Sequence, residues 1–348
     1  MSDNKYDYII VGQGVGGTLL SWFLRERGKS HIVIDNNHFQ AASKIAAGVI
    51  NPITGRKYVK SWRIEELLPF ALETYKGISD FIQEKIYHEK LIYRGLYSVK
   101  DENTWETRKA DPIAGQFIVD KPSTEEFDGK VNGIFAYGVL KQGMQVQLGK
   151  LVTGYRKTLE NDAAILNEKF EYDQLKVSDN GVEYKEIKAS KIIFAEGYQA
   201  QFNPYFKHLA FEPAKGDVLI VKIKGRPFDS ILRHKVFVAP IDEEHYWVGS
   251  GYRWTFEDDS PDEEKGQELR DKLDEILNVP YEVVDHIAGI RPCVKGRRPF
   301  LGRHSVHQNL IIFNGLGTKG ASLGPYWAHH LIQHLEDGAE IDFEVKVS

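Results

Sequence analysis

At 348 residues the chain is long enough for two domains with a shared interface, and it needs no disulfide or metal staple to hold a core. Its 42% apolar and 27% charged residues exclude a disordered or fibrous chain, and a net charge of -5 disfavours non-specific nucleic-acid binding. The single cysteine, Cys293, excludes an internal disulfide and a cysteine-rich zinc site, so no metal is expected.

The first apolar stretch, Tyr8 to Leu24, is interrupted by four glycines and followed by Arg25 and Arg27, so it reads as strand, turn and helix rather than a membrane or signal segment. With no such segment, a cytoplasmic protein is expected. Tyr6 to Val11 is a buried strand of a parallel sheet. Gly12-Gln13-Gly14-Val15-Gly16-Gly17 follows at once: Gly12 for the tight turn, Gly14 for close approach of a pyrophosphate, Gly17 for close helix packing. Thr18 to Arg27 is the helix whose N-terminus faces those phosphates. His31 to Ile34 is the second strand, and Asp35, with Asn36 beside it, closes it 35 − 17 = 18 residues after the last glycine, where a ribose-binding acid is expected. This half alone indicates a dinucleotide and leaves NAD and FAD equally open.

Further on, Lys191 to Phe194 is a short strand running into Ala195-Glu196-Gly197, another end with small residues that let a ligand approach. Near the C-terminus, Asn309 to Asn314 is a strand, Gly315-Leu316-Gly317-Thr318-Lys319-Gly320 a second glycine loop, and Ser322 to Leu335 a helix. Only 348 − 320 = 28 residues remain, too few for a second nucleotide site. The second helix N-terminus therefore serves another part of the same cofactor. A positive helix end, with Lys319, suits the negative charge that reduction places on a flavin ring. Lys319 could equally be a solvated loop lysine. Three such strand ends across the chain require one domain assembled from N-terminal, middle and C-terminal segments, with the second domain inserted.

Four stations resemble the D-amino-acid oxidase family of flavoproteins, especially its glycine oxidase and sarcosine oxidase-like branch. They are the Gly12 to Asp35 fingerprint; Ala42-Ser43-Lys44-Ile45-Ala46-Ala47-Gly48; Ala195-Glu196-Gly197; and Gly289-Ile290-Arg291-Pro292 with Pro299-Phe300-Leu301-Gly302-Arg303 and the Gly315 loop. The resemblance implies an α/β fold: a Rossmann-like FAD-binding domain over residues 1–88, 136–205 and 286–348, with an inserted, mainly antiparallel-sheet substrate domain over 89–135 and 206–285. It implies that Asp35 holds the adenosine ribose, that Ser43 and Lys44 lie near the pyrophosphate, and that Ala47 and Gly48 approach the flavin. Phe170 falls where a strand backbone meets the adenine, and Arg291 where the substrate carboxylate is clamped.

The arginine has its own physics: a guanidinium fork binds carboxylate bidentately, and Pro292 stiffens the backbone that aims it. A structural salt bridge is its alternative use. Tyr246 to Trp254 reads as a strand, from which Tyr246 and Tyr252 are taken as pocket residues; ordinary core is the competing assignment. The implied reaction is hydride transfer from Cα to flavin N5 of an amino acid or secondary amine, imine hydrolysis, and reoxidation by oxygen, or by another acceptor in a dehydrogenase. Two departures stand out. Asn51 to Arg63 is unusually basic and, with Lys295, Arg297, Arg298 and Arg303, could form an anion-binding rim; here the chain is also similar to the oxidase domain of the bifunctional wobble-uridine tRNA-modifying enzyme, which would make tRNA the partner. Such charges are otherwise a solvated face balanced by carboxylates. Cys293 lies near the covalent FAD attachment point of sarcosine oxidase-type enzymes, although a lone cysteine usually serves as a small hydrophobe, and non-covalent FAD is expected.

Overall fold

The fold is that of a computed structural model, which describes residues 5–225 and 227–347. Tyr8, Ile9, Ile10 and Val11 are buried because the strand that carries them, Lys5–Val11, has a parallel neighbour on each side, His31–Ile34 and Ile187–Phe194. Leu310–Asn314 extends the parallel set beyond Ile187–Phe194, Phe300–Arg303 closes that edge antiparallel, and Ile165–Leu166 closes the other in parallel. Register places Val11 beside Ile34 and Phe194, and Phe194 beside Ile312. The loops after these four strands therefore emerge on one edge, as the glycine pattern requires. Helices Val15–Glu26, Ile64–Ile82, Leu148–Asn161 and Gly320–Asp337 contribute Leu19, Leu20, Tyr75, Tyr155, Trp327 and Leu331 to the core on this sheet.

The second sheet runs in the order 282–291, 214–222, 245–249, 237–240, 231–233, 87–96, 136–146 and 49–50. Its ladders are antiparallel except that Ile231–Arg233 lies parallel to Tyr87–Leu96. Side chains alternate between its two faces. Leu219, Val221, Tyr246 and Val248 point to one face and pack with helix Glu263–Ile276 through Leu269, Leu273 and Ile276. The other face carries Gly216, Val218, Trp247, Gly249, Gly289 and Arg291, as the register of the three strands dictates. That face meets the first unit: Trp247 Nε1 donates to Ile45 O at 2.7 Å, and a Cβ on Gly289 would lie 3.1 Å from Ile45 Cδ1.

The α/β architecture with a mainly antiparallel second sheet is as expected. Strand Ala136–Val146 and the whole of strand Glu282–Arg291, including residues 286–291, join the second sheet, so the sheets do not part at the residue numbers expected for the domains. The strand expected over Tyr246 to Trp254 ends at Gly249, and the residues beyond form a loop. Among the described residues no helix is long and apolar enough to cross a membrane, and no group of three or more His, Cys, Asp or Glu side chains is placed to hold a metal.

Candidate functional site

Glycine geometry builds the first end of the site. Gly12 has φ +96°, and a Cβ there would lie 2.6 Å from Ala195 O, so strand end and turn touch backbone to backbone. A Cβ on Gly17 would fall 1.8 Å from Gly12 O, which fixes how closely the helix Val15–Glu26 follows its strand. Gly16 packs on Phe313. Gly14 is the N-cap and lends no side-chain cap, the first turn holds no acid, and Val15 N donates to Ser43 Oγ at 2.9 Å. This is a positive helix end open to an anion. Asp35 accepts from Gln13 N at 2.8 Å, Asn37 N at 2.7 Å and Arg156 Nη1 at 2.7 Å. Asn36 is exposed beside it.

Lys44 turns away from the helix end. Its Nζ donates to Asn37 Oδ1 at 2.7 Å and His38 O at 3.0 Å, holding the loop after Asp35, and burial pulls its pKa down. Phe170 lies in a connection and not in a strand, with its ring stacked on Tyr184 at 4.5 Å. Ala47 packs on the core, and Gly48, with φ +66°, leaves no room for a Cβ against Val146 O at 1.7 Å.

The middle and C-terminal strand ends meet the first. Asn314 Nδ2 donates to Gly197 O at 3.0 Å and its Oδ1 accepts from Gly315 N at 2.7 Å, linking Ala195 to Gly197 with the second loop. Gly197 has open space where a Cβ would stand. Gly315 and Gly317 have φ of +77° and +56°. Thr318 is exposed, and Gly320 opens the last helix, whose first turn again holds no acid. Lys319, half-buried, donates to Ser61 Oγ at 3.4 Å, and burial together with Arg298 and Arg297 pushes its pKa down. It makes no ion pair among the described residues and is half-buried rather than solvated. Cys293 Sγ stands 3.7 Å from the position of a Gly317 Cβ, and burial raises its thiol pKa. Two open helix N-termini, an acid at the second strand end and an unpaired lysine suit the charges of a flavin dinucleotide.

On the facing sheet, Arg291 lies flat over Gly216, where a Cβ would come within 2.0 Å of Nη2. Nη1 donates to Gly251 O at 3.0 Å, Nη2 to Ser250 Oγ, and the Tyr252 ring centroid is 4.5 Å from Cζ. No carboxylate pairs with it among the described residues, so the salt-bridge alternative is not realised there. Tyr252 (56% exposed) and Trp254 (59% exposed) rim this region. Tyr246 is a correction: it is fully buried on the opposite face, its hydroxyl donates to Phe228 O at 2.7 Å, and its neighbour Trp247 faces the site instead. A cleft of about 830 Å³ lined by Phe202, Phe211, Trp254 and Phe256 also opens behind Arg291, where Ile290 lines it.

Sequence reasoning missed Arg156, which is buried, pairs with Asp35 and donates to Gln13 Oε1 at 3.2 Å. It also missed Trp247 and the arginines Arg94 and Arg233. Of the basic residues, Lys60 pairs with Glu65, Arg63 pairs with Glu66 and Asp342, and Arg298 lies 3.4 Å from Glu344, while Arg56, Lys57, Lys295, Arg297 and Arg303 make no ion pair among the described residues.

A family model described as FAD dependent oxidoreductase matches residues 7–334. The chain is 22% identical over 351 residues to glycine oxidase of Bacillus subtilis, covering 92% of this chain and 90% of that one. It is 21% identical over 350 residues to the tRNA 5-methylaminomethyl-2-thiouridine biosynthesis bifunctional protein MnmC of Idiomarina loihiensis, covering 93% of this chain and 55% of that protein, so it spans about half of that relative's length. Among solved structures, glycine oxidase from Bacillus cereus superposes with a TM-score of 0.81 at 19% identity, covering 96% of each chain. Iminodiacetate oxidase from Chelativorans sp. BNC1 gives 0.75 at 19% identity, covering 97% of each.

Proposed function

This chain belongs to the family of FAD-dependent oxidoreductases, and from that premise we propose that it oxidises a small amino acid or secondary amine at the carbon beside the nitrogen. The observation that carries the proposal is Arg291: a desolvated guanidinium without a carboxylate partner among the described residues, on the sheet face that meets the cofactor-side loops. FAD, when bound, would supply the two-electron oxidant for this carbon, with oxygen as the proposed final acceptor and hydrogen peroxide as its product. The protein's part is placement. Arg291 clamps the substrate carboxylate with the N–H groups its bonds to Ser250 and Gly251 leave free, Tyr252 covers the guanidinium from solvent, and the bare backbone at Gly216 lets the guanidinium lie flat on the sheet. The substrate leaves as an imine that water hydrolyses to a carbonyl compound and the free amine. Asp35 would hold the adenosine ribose, the helix end at Gly14 the pyrophosphate, and Lys319 would face the flavin.

Glycine oxidase as a relative supports this reading. Anaerobic bleaching of the bound flavin by a panel of glycine, sarcosine, proline, D-amino acids and acidic amines tests it, and bleaching by none of them sinks it. Peroxide yield in air separates an oxidase from a dehydrogenase. Cys293, whose thiol pKa is pushed up by burial, serves as a small half-buried hydrophobe on this reading, so FAD is non-covalent and acid precipitation should free all the yellow colour. A second reading, an amine carried on tRNA, is favoured by the similarity to the bifunctional tRNA-modifying protein. It requires tRNA binding that weakens steeply with salt, and no shift of tRNA at low salt removes it.

A further inference from the structure

Two more arginines stand on the face that carries Arg291. Arg233 and Arg94 are direct partners in the parallel ladder between strands Ile231–Arg233 and Tyr87–Leu96. Arg233 pairs across to Phe237, Phe237 to Gly249 and Gly249 to Val218, which assigns all of them to the face of Gly216 and Arg291.

Like charges side by side on adjacent strands repel, and half-burial strengthens the repulsion unless an anion answers it. No carboxylate does so here. Arg94 donates to Gly55 O at 2.7 Å and lies 4.6 Å over the Tyr58 ring; Arg233 donates to His234 O and lies 4.8 Å over Phe237. Neither makes an ion pair among the described residues. Asp101, whose charge reaches Arg94 from a distance, is engaged instead in accepting from Tyr97 N at 3.1 Å. Burial and mutual repulsion both act against the charge of Arg233. Each guanidinium keeps several N–H donors that those bonds do not use. The ladder places the three arginines on one face of the sheet, with the Tyr252 ring 4.5 Å from Arg291 Cζ.

We propose that Arg94 and Arg233 form a second anion seat beside that of Arg291, so that the substrate is an amine with two acidic groups: a carboxylate next to the oxidised carbon, held by Arg291, and a second carboxylate or phosphate several bonds away, held by the arginine pair. This rests on the amine-oxidation reading for what Arg291 holds, while the seat itself rests on the sheet register alone. Four strand spacings, about 19 Å at ~4.8 Å each, separate the strands of Arg291 and Arg233, and the register sets Arg291 four residues further along, opposite Ala214 where Arg233 shares the row of Val218, so the backbones lie roughly 23 Å apart and the two long side chains span part of that distance.

The test uses the FAD-loaded protein and ligands that cannot be oxidised, with perturbation of the flavin spectrum as the readout. Propionate is titrated against glutarate and adipate, and against phosphonocarboxylates of the same lengths, which tell a carboxylate seat from a phosphate seat. The best two-acid ligand is expected to bind at least about tenfold more tightly than propionate. In Arg233→Gln and Arg94→Gln that preference should fall to within about twofold, and Arg233→Lys, which keeps the charge and loses the fork, should lie between. If either glutamine variant does not fold, the other and Arg233→Lys decide. Equal binding of one-acid and two-acid ligands overturns the proposal, as does a preference that survives both glutamine variants. A two-acid preference with no bleaching by any amine would keep the seat and remove the oxidation reading; bleaching by one-acid amines without the preference would do the reverse.

Discussion

Gly216→Ala separates placement of the carboxylate clamp from stability of the fold. The added Cβ would lie 2.0 Å from Arg291 Nη2, 2.6 Å from Cζ and 2.8 Å from Nη1, whereas ordinary contact begins at 3.4 Å. The guanidinium must therefore move by at least 3.4 − 2.0 = 1.4 Å, which disturbs its bonds to Ser250 Oγ and Gly251 O. The atoms in the way belong to the end of a flexible side chain, and alanine is favoured over glycine in a strand by roughly 0.5–1 kcal/mol, so global stability should change by less than about 1 kcal/mol. A misplacement of about 1 Å at a reacting group costs about 100-fold in rate, or ~2.7 kcal/mol. Stopped-flow anaerobic reduction by the best amine should show that loss in kcat/KM. Urea midpoint and FAD content should match the parent. A variant that folds, keeps its flavin and reduces it within about threefold of the parent rate would refute the assignment of Arg291 to the substrate.

Gly17→Ala presses a Cβ onto Gly12 O at 1.8 Å, backbone against backbone. It should cost about 1–3 kcal/mol and yield protein purified without flavin colour, and a fully yellow variant would contradict the packing argument. Arg156→Leu strands the Asp35 carboxylate, which keeps its bonds from Gln13 N and Asn37 N. The expected cost is about 3 kcal/mol, the low end for a broken buried pair, read as a lower denaturant midpoint at unchanged slope, together with weaker FAD retention. Glu196 accepts from Tyr172 OH at 2.5 Å and Asn203 Nδ2 at 2.8 Å, and burial lifts its pKa from 4.5 to about 7. A carboxyl raised on folding contributes stability that is whole below pH 4.5 and is lost as pH rises to about 7, on the order of a few kcal/mol. Glu196→Gln should flatten unfolding free energy across that window, and an unchanged slope would show that another group titrates there.

Local patterns were legible and non-local partnerships were not. The glycine loops could be read because their requirements, positive φ and close backbone approach, act within a few residues, and strand His31–Ile34 falls where its apolar run predicts. Asp35 was found by spacing, yet Arg156, its partner 121 residues away, sits on a helix with nothing local to mark it. Alternation identifies two faces of a strand without saying which one meets the cofactor, hence the choice of Tyr246 where Trp247 faces the site. Arg94 and Arg233 are joined only by sheet register. In the basic run over 51–63, Lys60 and Arg63 are answered by acids, one of them, Asp342, far away in the chain and unreadable from the run itself.

The order of strands in the first sheet also sets a schedule. Ile9 waits for Ile192, 192 − 9 = 183 residues later, and Ile192 in turn for Leu310, 310 − 192 = 118 residues later. A chain emerging from the ribosome thus displays its first glycine loop 310 − 12 = 298 residues before the strand Leu310–Asn314 completes the loop's surroundings. Pairings so distant fold slowly, and for most of synthesis the strand Lys5–Val11 has an uncovered edge that invites aggregation. Flavin capture should accordingly be a late event in biogenesis, and stalled chains ending before residue 310 should remain colourless and bound to chaperones.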